Sequence, residues 1–262
     1  MISLNIFVFI FVIGIPTYYI VKSVINKSKK RDFYLDNFPP SWVEILKQKV
    51  AYYNRLSLDD KLIFQKKIAL FLSEATISGV GVVIDDSIRL LVASSAVIPV
   101  FRFVRWRYAN MGEILIYNGE VNTDLSSHEK KEGILLGQVR PFQTRHIVLL
   151  SKQYLEQGFQ AMHSSSNVGI HEFIHLIDQA DGSIDGIPNA IIPESLLKLW
   201  TMLMYKEIDK IQKGRSDINT YGLTNHAEFF AVVSEYFFSN PEKFKKHHPE
   251  LYLLLSKTFY QA

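Results

Sequence analysis

The segment Asn167–Asp178 reads NVGIHEFIHLID and contains the pattern HExxH between residues 171 and 175. If this segment is a helix, residues four apart lie on one face, so the imidazoles of His171 and His175 can reach one metal ion. Glu172 lies beside that face, where a carboxylate can take a proton from water activated by the metal. The rest of the segment is apolar, and unpaired polar groups are costly in such surroundings. The pattern therefore predicts a buried helix that carries the centre of a zinc peptidase.

A catalytic zinc ion needs three protein ligands, and the two histidines supply only two of them. Asp181 lies six residues after His175, which is the metzincin spacing, but metzincins need a glycine three residues after that histidine and this chain has none there. Glu228 and Glu235 lie seven residues apart on a later predicted helix and therefore share a face. Both also have structural interpretations, because Asn225 and Glu228 have the spacing of a capping box and Glu235 suits a solvated carboxylate or one behind the ligands. The residues alone leave the third ligand open.

The composition excludes several classes of protein. Hydrophobic residues make up 48% of the 262 residues, which suffices for a sizeable core and excludes a disordered chain. There is no cysteine, so disulfide frameworks, thiolate metal sites and a cysteine nucleophile are excluded. The net charge is +3, but five basic residues between positions 22 and 31 exceed it, so the remainder is slightly acidic. We therefore expect no direct binding of nucleic acid.

Residues 1–21 contain no charged side chain and are rich in Ile, Phe and Val. A helix of that length spans roughly 31 Å, enough to cross the hydrocarbon core of a bilayer. The basic residues follow the apolar run, whereas a cleaved signal peptide carries its positive charges ahead of it. The pattern predicts a transmembrane anchor at 1–21 in the bacterial cytoplasmic membrane, a basic linker at 22–40 and a domain at 41–262 that faces the cytoplasm. A buried core helix and an uncleaved export signal are the alternatives.

The rest of the chain shows helical patterns and two short strand patterns. Helices are predicted at Ser41–Tyr53, at Leu58–Glu74 behind the N-cap Ser57, at Ile88–Val100, and through most of the C-terminal part, with a restart at Asn240–Pro241. Strands are predicted at Glu113–Tyr117 and Ile147–Leu150. The expected fold class is α+β, mostly helical with a small sheet, preceded by one transmembrane helix.

The segment HEFIHLID at 171–178, followed by Asp181–Gly182 and by YGLTNHAEFFAVVSEYFF at 221–238, resembles the Mlc titration factor A family. Members of that family are bacterial zincin-fold metallopeptidases, distantly similar to the catalytic domain of anthrax lethal factor. The resemblance runs from about Pro39 to the C-terminus. It implies a zincin-like peptidase domain with one Zn²⁺ per chain and a peptide or protein substrate.

The resemblance also implies a role for each residue of the site. The metal ligands correspond to His171, His175 and Glu228, as in gluzincins, and the general base corresponds to Glu172. A tyrosine seven residues before the third ligand corresponds to Tyr221. In the expected mechanism zinc-activated water attacks a peptide carbonyl, Glu172 takes the proton, and the Tyr221 hydroxyl donates a hydrogen bond to the oxyanion.

Further expectations concern the surroundings of the zinc site. Zincins bind a peptide along an edge strand, and Ile147–Ser151 is the expected edge strand here. Asp178 and Glu235 are expected behind the ligands, because ligating histidines donate their other N–H to a carboxylate or carbonyl. Two other functions are weighed against a peptidase: a regulatory protein that sequesters a transcriptional repressor, as the family name implies, and a structural zinc site. The presence of Glu172 favours catalysis, because a structural site needs no base.

Overall fold

The computed structural model describes residues 37–119, 137–142, 145–160 and 166–260, together with Ile15, Thr17, Tyr18 and Lys22. Most of the predicted anchor at 1–21 and most of the linker lie outside the described residues. Of the helices within these ranges, none is both long and apolar enough to cross a membrane. The described chain is mostly helical with one four-stranded sheet, so the α+β class is confirmed.

Ten α-helices occur within the described residues between positions 37 and 260. They are α1 Pro40–Lys49, α2 Ala51–Arg55, α3 Leu58–Glu74, α4 Asp86–Val97, α5 Lys152–Gln160, α6 Val168–Asp178, α7 Glu194–Gln212, α8 His226–Ser239, α9 Pro241–His247 and α10 Pro249–Phe259. Two 3₁₀ segments, Gln179–Asp181 and Thr220–Leu223, follow α6 and precede α8. The strands are β1 Thr76–Val80, β2 Met111–Tyr117, β3 Gly137–Phe142 and β4 Arg145–Ser151.

Side-chain caps decide where several helices begin. The Ser57 hydroxyl accepts the Asp60 N–H at the start of α3, and the Asn240 side chain accepts the Lys243 N–H at the start of α9. Both starts agree with the sequence-based prediction. The predicted helix Ser41–Tyr53 is instead divided into α1 and α2, because the backbone at Val50 (φ −112°, ψ 89°) leaves the helical range.

The sheet has the strand order β1-β2-β4-β3. β1 and β4 both run parallel to β2, and β3 runs antiparallel to β4. The buried helix α4 forms the crossover from β1 to β2. The inner strands contribute four fully buried side chains to the core, namely Ile114, Ile116, Val148 and Leu150.

The sequence patterns do not predict β1 and β3, because Gly79, Gly137 and Pro141 are atypical of strands. The presence of β3 corrects the expectation that Ile147–Ser151 is the edge strand. β4 pairs with β2 on one side and with β3 on the other, so β4 is an inner strand and β3 is the edge strand next to it. Pro141 suits an edge strand, since it has no N–H to contribute to a ladder on both sides.

One carboxylate joins the C-terminal helices to the segment before α8. Asp217 accepts hydrogen bonds from the Tyr236 hydroxyl at 2.8 Å and from His247 Nδ1 and His248 Nε2, both at 2.7 Å. Its Oδ2 also lies 3.0 Å from Lys243 Nζ. We call these five residues the Asp217 clamp. It links the segment between α7 and α8 to α8, to α9 and to the residue that precedes α10.

His248 is the buried member of the clamp, with 5% of its surface exposed. Its Nδ1 faces α7, where it lies 3.2 Å from Oε2 of Glu207. Burial lowers the pKa of His248, but the carboxylates of Glu207 and Asp217 outweigh burial and raise that pKa above its usual value. Burial raises the pKa of Asp217, and the hydrogen bonds of the clamp outweigh burial and hold that pKa well below its usual range.

The clamp predicts a pH dependence of the free energy of unfolding. The raised pKa of His248 adds stability below its unfolded value of 6.5, and this stability is lost as pH rises through the folded pKa. The lowered pKa of Asp217 adds stability above its unfolded value of 3.8, which is lost as pH falls towards the folded pKa. His248→Gln should therefore lower the free energy of unfolding by about 1–3 kcal/mol near pH 5.5 and by less near pH 9, as measured by urea denaturation.

The matched control is His226→Gln, because His226 lies outside the clamp and packs against the Tyr205 ring, with the ring centroids 5.2 Å apart. We expect a small change for this variant at both pH values. A loss for His248→Gln that is equal at both pH values would contradict the ion-pair interpretation of the clamp.

Candidate metal centre

Helix α6 carries the HExxH residues into the centre of the protein. The Asn167 side chain caps it by accepting the Ile170 N–H, and every residue from Val168 to Asp178 is buried. His171 and His175 lie one turn apart, each 8% exposed, with ring centroids 4.9 Å apart. The helix and the shared face predicted from the HExxH spacing are therefore observed.

Three side-chain atoms from α6 and α8 lie close together. Nε2 of His171 is 3.0 Å from Oε2 of Glu228 and 3.2 Å from Nε2 of His175. Oε2 of Glu228 is 3.3 Å from Nε2 of His175. Within the described ranges, these three residues are the group of His, Asp and Glu side chains whose ligand atoms all lie within 4.8 Å of one another.

The chemistry and spacing of these atoms fit a zinc ion. Zinc binds imidazole nitrogen and carboxylate oxygen at about 2.0–2.2 Å, which places neighbouring tetrahedral ligands roughly 3.3–3.6 Å apart. The three observed separations of 3.0, 3.2 and 3.3 Å are close to that range. Two histidines and one carboxylate also leave a fourth position for water or substrate, as catalytic zinc sites require.

Glu228 takes part both in the capping of α8 and in the cluster with the histidines, the two roles that its sequence position allows. The Asn225 side chain accepts the Glu228 backbone N–H at 2.9 Å and caps α8. This capping uses the backbone of Glu228 and not its carboxylate, which points to the histidines. The capping residue therefore fixes the first turn of α8 from which the carboxylate extends.

Glu235 lies behind His171. Its Oε2 is 3.2 Å from Nδ1 of His171, and its Oε1 accepts the Asn167 backbone N–H. In the neutral imidazole that metal binding requires, Nδ1–H of His171 donates to Glu235 and the lone pair of Nε2 faces Glu228 and His175. Glu235 thus fixes the tautomer and the orientation of one histidine, which is the position expected for it.

Asp178 has a different environment from the one expected. Its Oδ2 accepts the Gly186 N–H at 2.9 Å, and burial raises the pKa of its carboxyl to about 7. Within the described chain, Oδ1 of Asp178 and Nδ1 of His175 are both buried without a hydrogen-bond partner. The structure therefore does not join Asp178 to either histidine.

Asp181 does not lie with the histidines. It belongs to the 3₁₀ segment after α6, and its carboxylate accepts the N–H groups of Ser183 at 3.0 Å and Asn189 at 2.9 Å. The residue is exposed. The metzincin-like alternative for the third ligand is therefore not supported by this structure, because Asp181 stabilises the following loop instead.

The charged groups of the cluster affect one another strongly. Burial lowers the pKa of His171, but hydrogen bonds to Glu228 and Glu235 outweigh burial and raise it to about 10. Burial raises the pKa of Glu228, but the two histidines outweigh burial and lower it to about 2. Burial raises the pKa of Glu172 to about 7, against the opposite effect of the histidines. Three carboxylates around two imidazoles therefore favour a cation at this place.

The cluster opens into a cavity of about 590 Å³, which β3, α6, α8 and the segment before α8 line. Gly137 on β3 approaches the Glu172 carboxylate closely. A Cβ at position 137 would lie 2.7 Å from Oε1 of Glu172 and 2.6 Å from Cγ2 of Val168. Only glycine fits there without displacing a neighbour. Sequence reasoning missed Gly137 because the pattern around it does not indicate a strand.

Tyr221 lies at the rim of this cavity, with 53% of its surface exposed and its ring centroid 6.0 Å from that of His171. It belongs to the 3₁₀ segment Thr220–Leu223, whose N-cap Asn219 accepts the Tyr221 N–H at 2.9 Å. Burial and the carboxylates of Glu228 and Glu172 raise the pKa of Tyr221 to about 12. The phenol therefore keeps its proton at neutral pH and is a hydrogen-bond donor.

The chain matches one known family along nearly its whole length. The model of the family described as glucose-regulated metallo-peptidase M90 matches residues 24–261. The uncharacterized protein slr2042 of Synechocystis is 25% identical over 243 residues, which cover 88% of this chain and 87% of that protein.

Proteins named Mlc titration factor A match a shorter part of this chain. The one from Pectobacterium atrosepticum is 31% identical over 122 residues, 44% of either chain. The one from Escherichia fergusonii is 38% identical over 113 residues, 40% of this chain and 41% of its own length. Each of these alignments therefore spans less than half of either protein.

The geometry predicts which carboxylate affects metal affinity. Glu228→Ala should lower the affinity of the chain for zinc by about 100-fold or more, because it removes a ligand atom from the cluster. Asp181→Ala removes the same charge from the loop after α6 and should change the affinity less than threefold. The affinities are measured by competition with a chromophoric chelator. Equal losses of zinc affinity in the two variants would contradict the assignment of Glu228, and not Asp181, as the third ligand.

Proposed function

The chain belongs to the M90 family of glucose-regulated metallo-peptidases, and we propose that it is a zinc-dependent peptidase of the gluzincin type. In this proposal one Zn²⁺ is held by His171, His175 and Glu228. The observation that carries the proposal is the meeting of these three ligand atoms, none more than 3.3 Å from the next, at a cavity that Glu172 also lines.

A zinc ion held by His171, His175 and Glu228 would supply a Lewis acid for the activation of water and the polarisation of a peptide carbonyl. Glu172 takes the proton from the attacking water and returns it to the leaving amine, as a general base and then a general acid. The Tyr221 hydroxyl donates a hydrogen bond to the substrate oxygen that becomes negative. Glu235 keeps His171 oriented throughout by accepting its Nδ1–H.

Two features support a catalytic site over a structural one. Structural zinc sites are closed by four protein ligands, whereas the cluster here contains three ligand side chains beside an open cavity. Glu172 also lines that cavity next to the ligands. A structural zinc site would need no general base at this position. Both features agree with the expectation from the HExxH pattern.

We propose that the substrate lies along β3. This strand is an edge of the sheet, and Gly137, Gln138 and Val139 all line the cavity. An extended peptide can add to such an edge through main-chain hydrogen bonds. Gly137 allows the peptide backbone to pass close to Glu172, and Pro141 limits the length of the pairing because it has no N–H to donate.

A second candidate function rests on the name of two relatives. They are called Mlc titration factor A, and that name describes titration of Mlc by those proteins. By analogy, this chain would bind a transcriptional repressor, with the metal site secondary. Glu172→Gln distinguishes the two functions, because it removes the base and leaves the surface nearly unchanged. A regulatory binding protein would keep its cellular effect in this variant, and a peptidase would lose it.

The peptidase proposal predicts the kinetics of Glu172→Gln. We expect kcat for peptide hydrolysis to fall about 10²–10⁴-fold, because proton transfer to a carboxylate is lost, while the zinc content stays at one ion per chain. Glu242→Gln changes an exposed glutamate on α9 and is the matched control, with unchanged kcat expected. The assay is digestion of a peptide library with and without chelator. A wild-type rate in Glu172→Gln that chelator still abolishes would exclude Glu172 as the base.

We propose separately, from the charge pattern of the sequence, that residues 1–21 anchor the chain in the bacterial cytoplasmic membrane. A reporter fused after Ala262 should then be active in the cytoplasm, and deletion of residues 2–21 should move the protein from the membrane fraction to the soluble fraction. Labelling of the C-terminal domain from outside intact cells would contradict the predicted orientation.

A further inference from the structure

We propose that Asp217 is a positioning residue for Tyr221, because it fixes the stretch of backbone from which the tyrosine extends into the cavity. The proposal rests on the peptidase function and on the donor role of Tyr221 proposed above. Asp217 itself is not among the residues that line the cavity. It would act on the reaction through the position of the Tyr221 hydroxyl.

The exposure of Tyr221 makes its position dependent on the backbone. Half of its surface is exposed, so neighbouring side chains enclose the ring only in part. The backbone beneath it is well supported, since Asn219 caps the 3₁₀ segment and Gly222 lies against α8. A Cβ at Gly222 would be 3.4 Å from the Phe229 Cα. In this proposal the residues before the segment also fix where that backbone begins, and so contribute to the position of the hydroxyl.

The residues before the segment lack regular structure. Helix α7 ends at Gln212, Gly214 follows with a φ of +64°, and residues 213–219 belong to no helix or strand. Ile218 is buried, with 2% of its surface exposed. Asp217 lies beside it and directs its carboxylate to four donors of the clamp. In this irregular stretch the clamp supplies the polar contacts with the C-terminal helices.

The clamp connects this stretch to the helix that carries the third ligand. Tyr236 lies on α8 directly after Glu235, and its hydroxyl donates a hydrogen bond to Asp217. Glu228 lies two turns earlier on the same helix. Asp217 therefore ties the backbone before Tyr221 to the helix that carries Glu228. We expect this tie to limit changes in the separation between the Tyr221 hydroxyl and the Glu228 carboxylate.

The substitution Asp217→Asn tests this role with little change in shape. An amide replaces one acceptor oxygen by a donor, so it cannot accept from Tyr236, His247, His248 and Lys243 together. We expect the stretch to move and the Tyr221 hydroxyl to lose its alignment. Loss of an oxyanion donor costs about 10²–10³ in kcat, and partial misalignment should cost about tenfold.

The experiment is a double-mutant cycle on the full-length, zinc-loaded chain. Tyr221→Phe should lower kcat by about 10²–10³ and Asp217→Asn by about tenfold, both with little change in KM or zinc content. The double variant should be no slower than Tyr221→Phe alone, because no hydroxyl remains to be positioned. If Asp217→Asn lowers kcat by the same factor in both backgrounds, or leaves it at the wild-type value, the positioning role is excluded.

Glu207→Gln is the matched control for lost stability. It removes the other carboxylate that faces His248, a carboxylate on α7 that contacts Lys210 and His248. We expect a lower melting temperature for Glu207→Gln with unchanged kcat. A fall in kcat equal to that of Asp217→Asn at equal loss of stability would attribute the effect to stability and overturn the proposal.

A second measurement does not depend on activity. Amide hydrogen exchange at residues 217–223 should be faster in Asp217→Asn than in the wild type, and unchanged in Glu207→Gln. Equal exchange in Asp217→Asn and the wild type would overturn the proposal even if hydrolysis is never detected. Absence of peptide hydrolysis in the wild-type chain, with faster exchange in Asp217→Asn, would instead reject the peptidase function and leave the positioning of the segment supported.

Discussion

The packing of α6 against α8 is the constraint on which the whole site depends. Both helices are anchored by fully buried rings: Phe173 on α6 packs against Phe71 and Tyr108, and Phe229 on α8 packs against Trp200. Burial of each such ring stabilises the fold by about 1.5–3 kcal/mol. This apolar packing offsets the cost of burying His171, Glu172 and Glu235 on the same two helices. The Glu235 carboxylate reduces that cost further, because it joins the first turn of α6 to the side chain of His171.

Helix α8 serves three purposes at once. It supplies the ligand atom of Glu228, the carboxylate of Glu235 behind His171, and the Tyr236 hydroxyl that contacts Asp217. A small rotation of this helix would change all three contacts together. The proposed metal ligand Glu228, the carboxylate behind His171 and the segment that carries Tyr221 therefore all depend on the placement of α8.

The sequence alone predicts the two histidines of the site, but it does not single out the third ligand or the tyrosine. The difference has a physical reason. The helical period alone puts His171 and His175 on one face, because that relation is local. Glu228 meets His171 across a separation of 57 residues, so its place depends on tertiary packing, and only the family resemblance selected it over Asp181 and Glu235. The resemblance was also needed for Tyr221, since nothing in its neighbourhood indicates a catalytic tyrosine.

The strands of the sheet are also predicted only in part from the sequence. β2 and β4 contain the β-branched residues typical of strands and are predicted nearly at their observed bounds. β3 contains Gly137 and Pro141, which weaken the strand pattern, yet both suit an edge strand beside a cavity. Because the sequence patterns do not predict β3, they assign the edge position wrongly to β4. Asp217 gives no local signal either, because its partners lie on elements that only the fold brings together.

The most direct test of this account is anomalous diffraction at the zinc edge from crystals of the zinc-loaded chain. We expect one strong peak within bonding distance of Nε2 of His171, Nε2 of His175 and Oε2 of Glu228, with the remaining position open to the cavity beside Glu172. A peak on other side chains, or a fourth protein ligand that closes the site, would contradict the account.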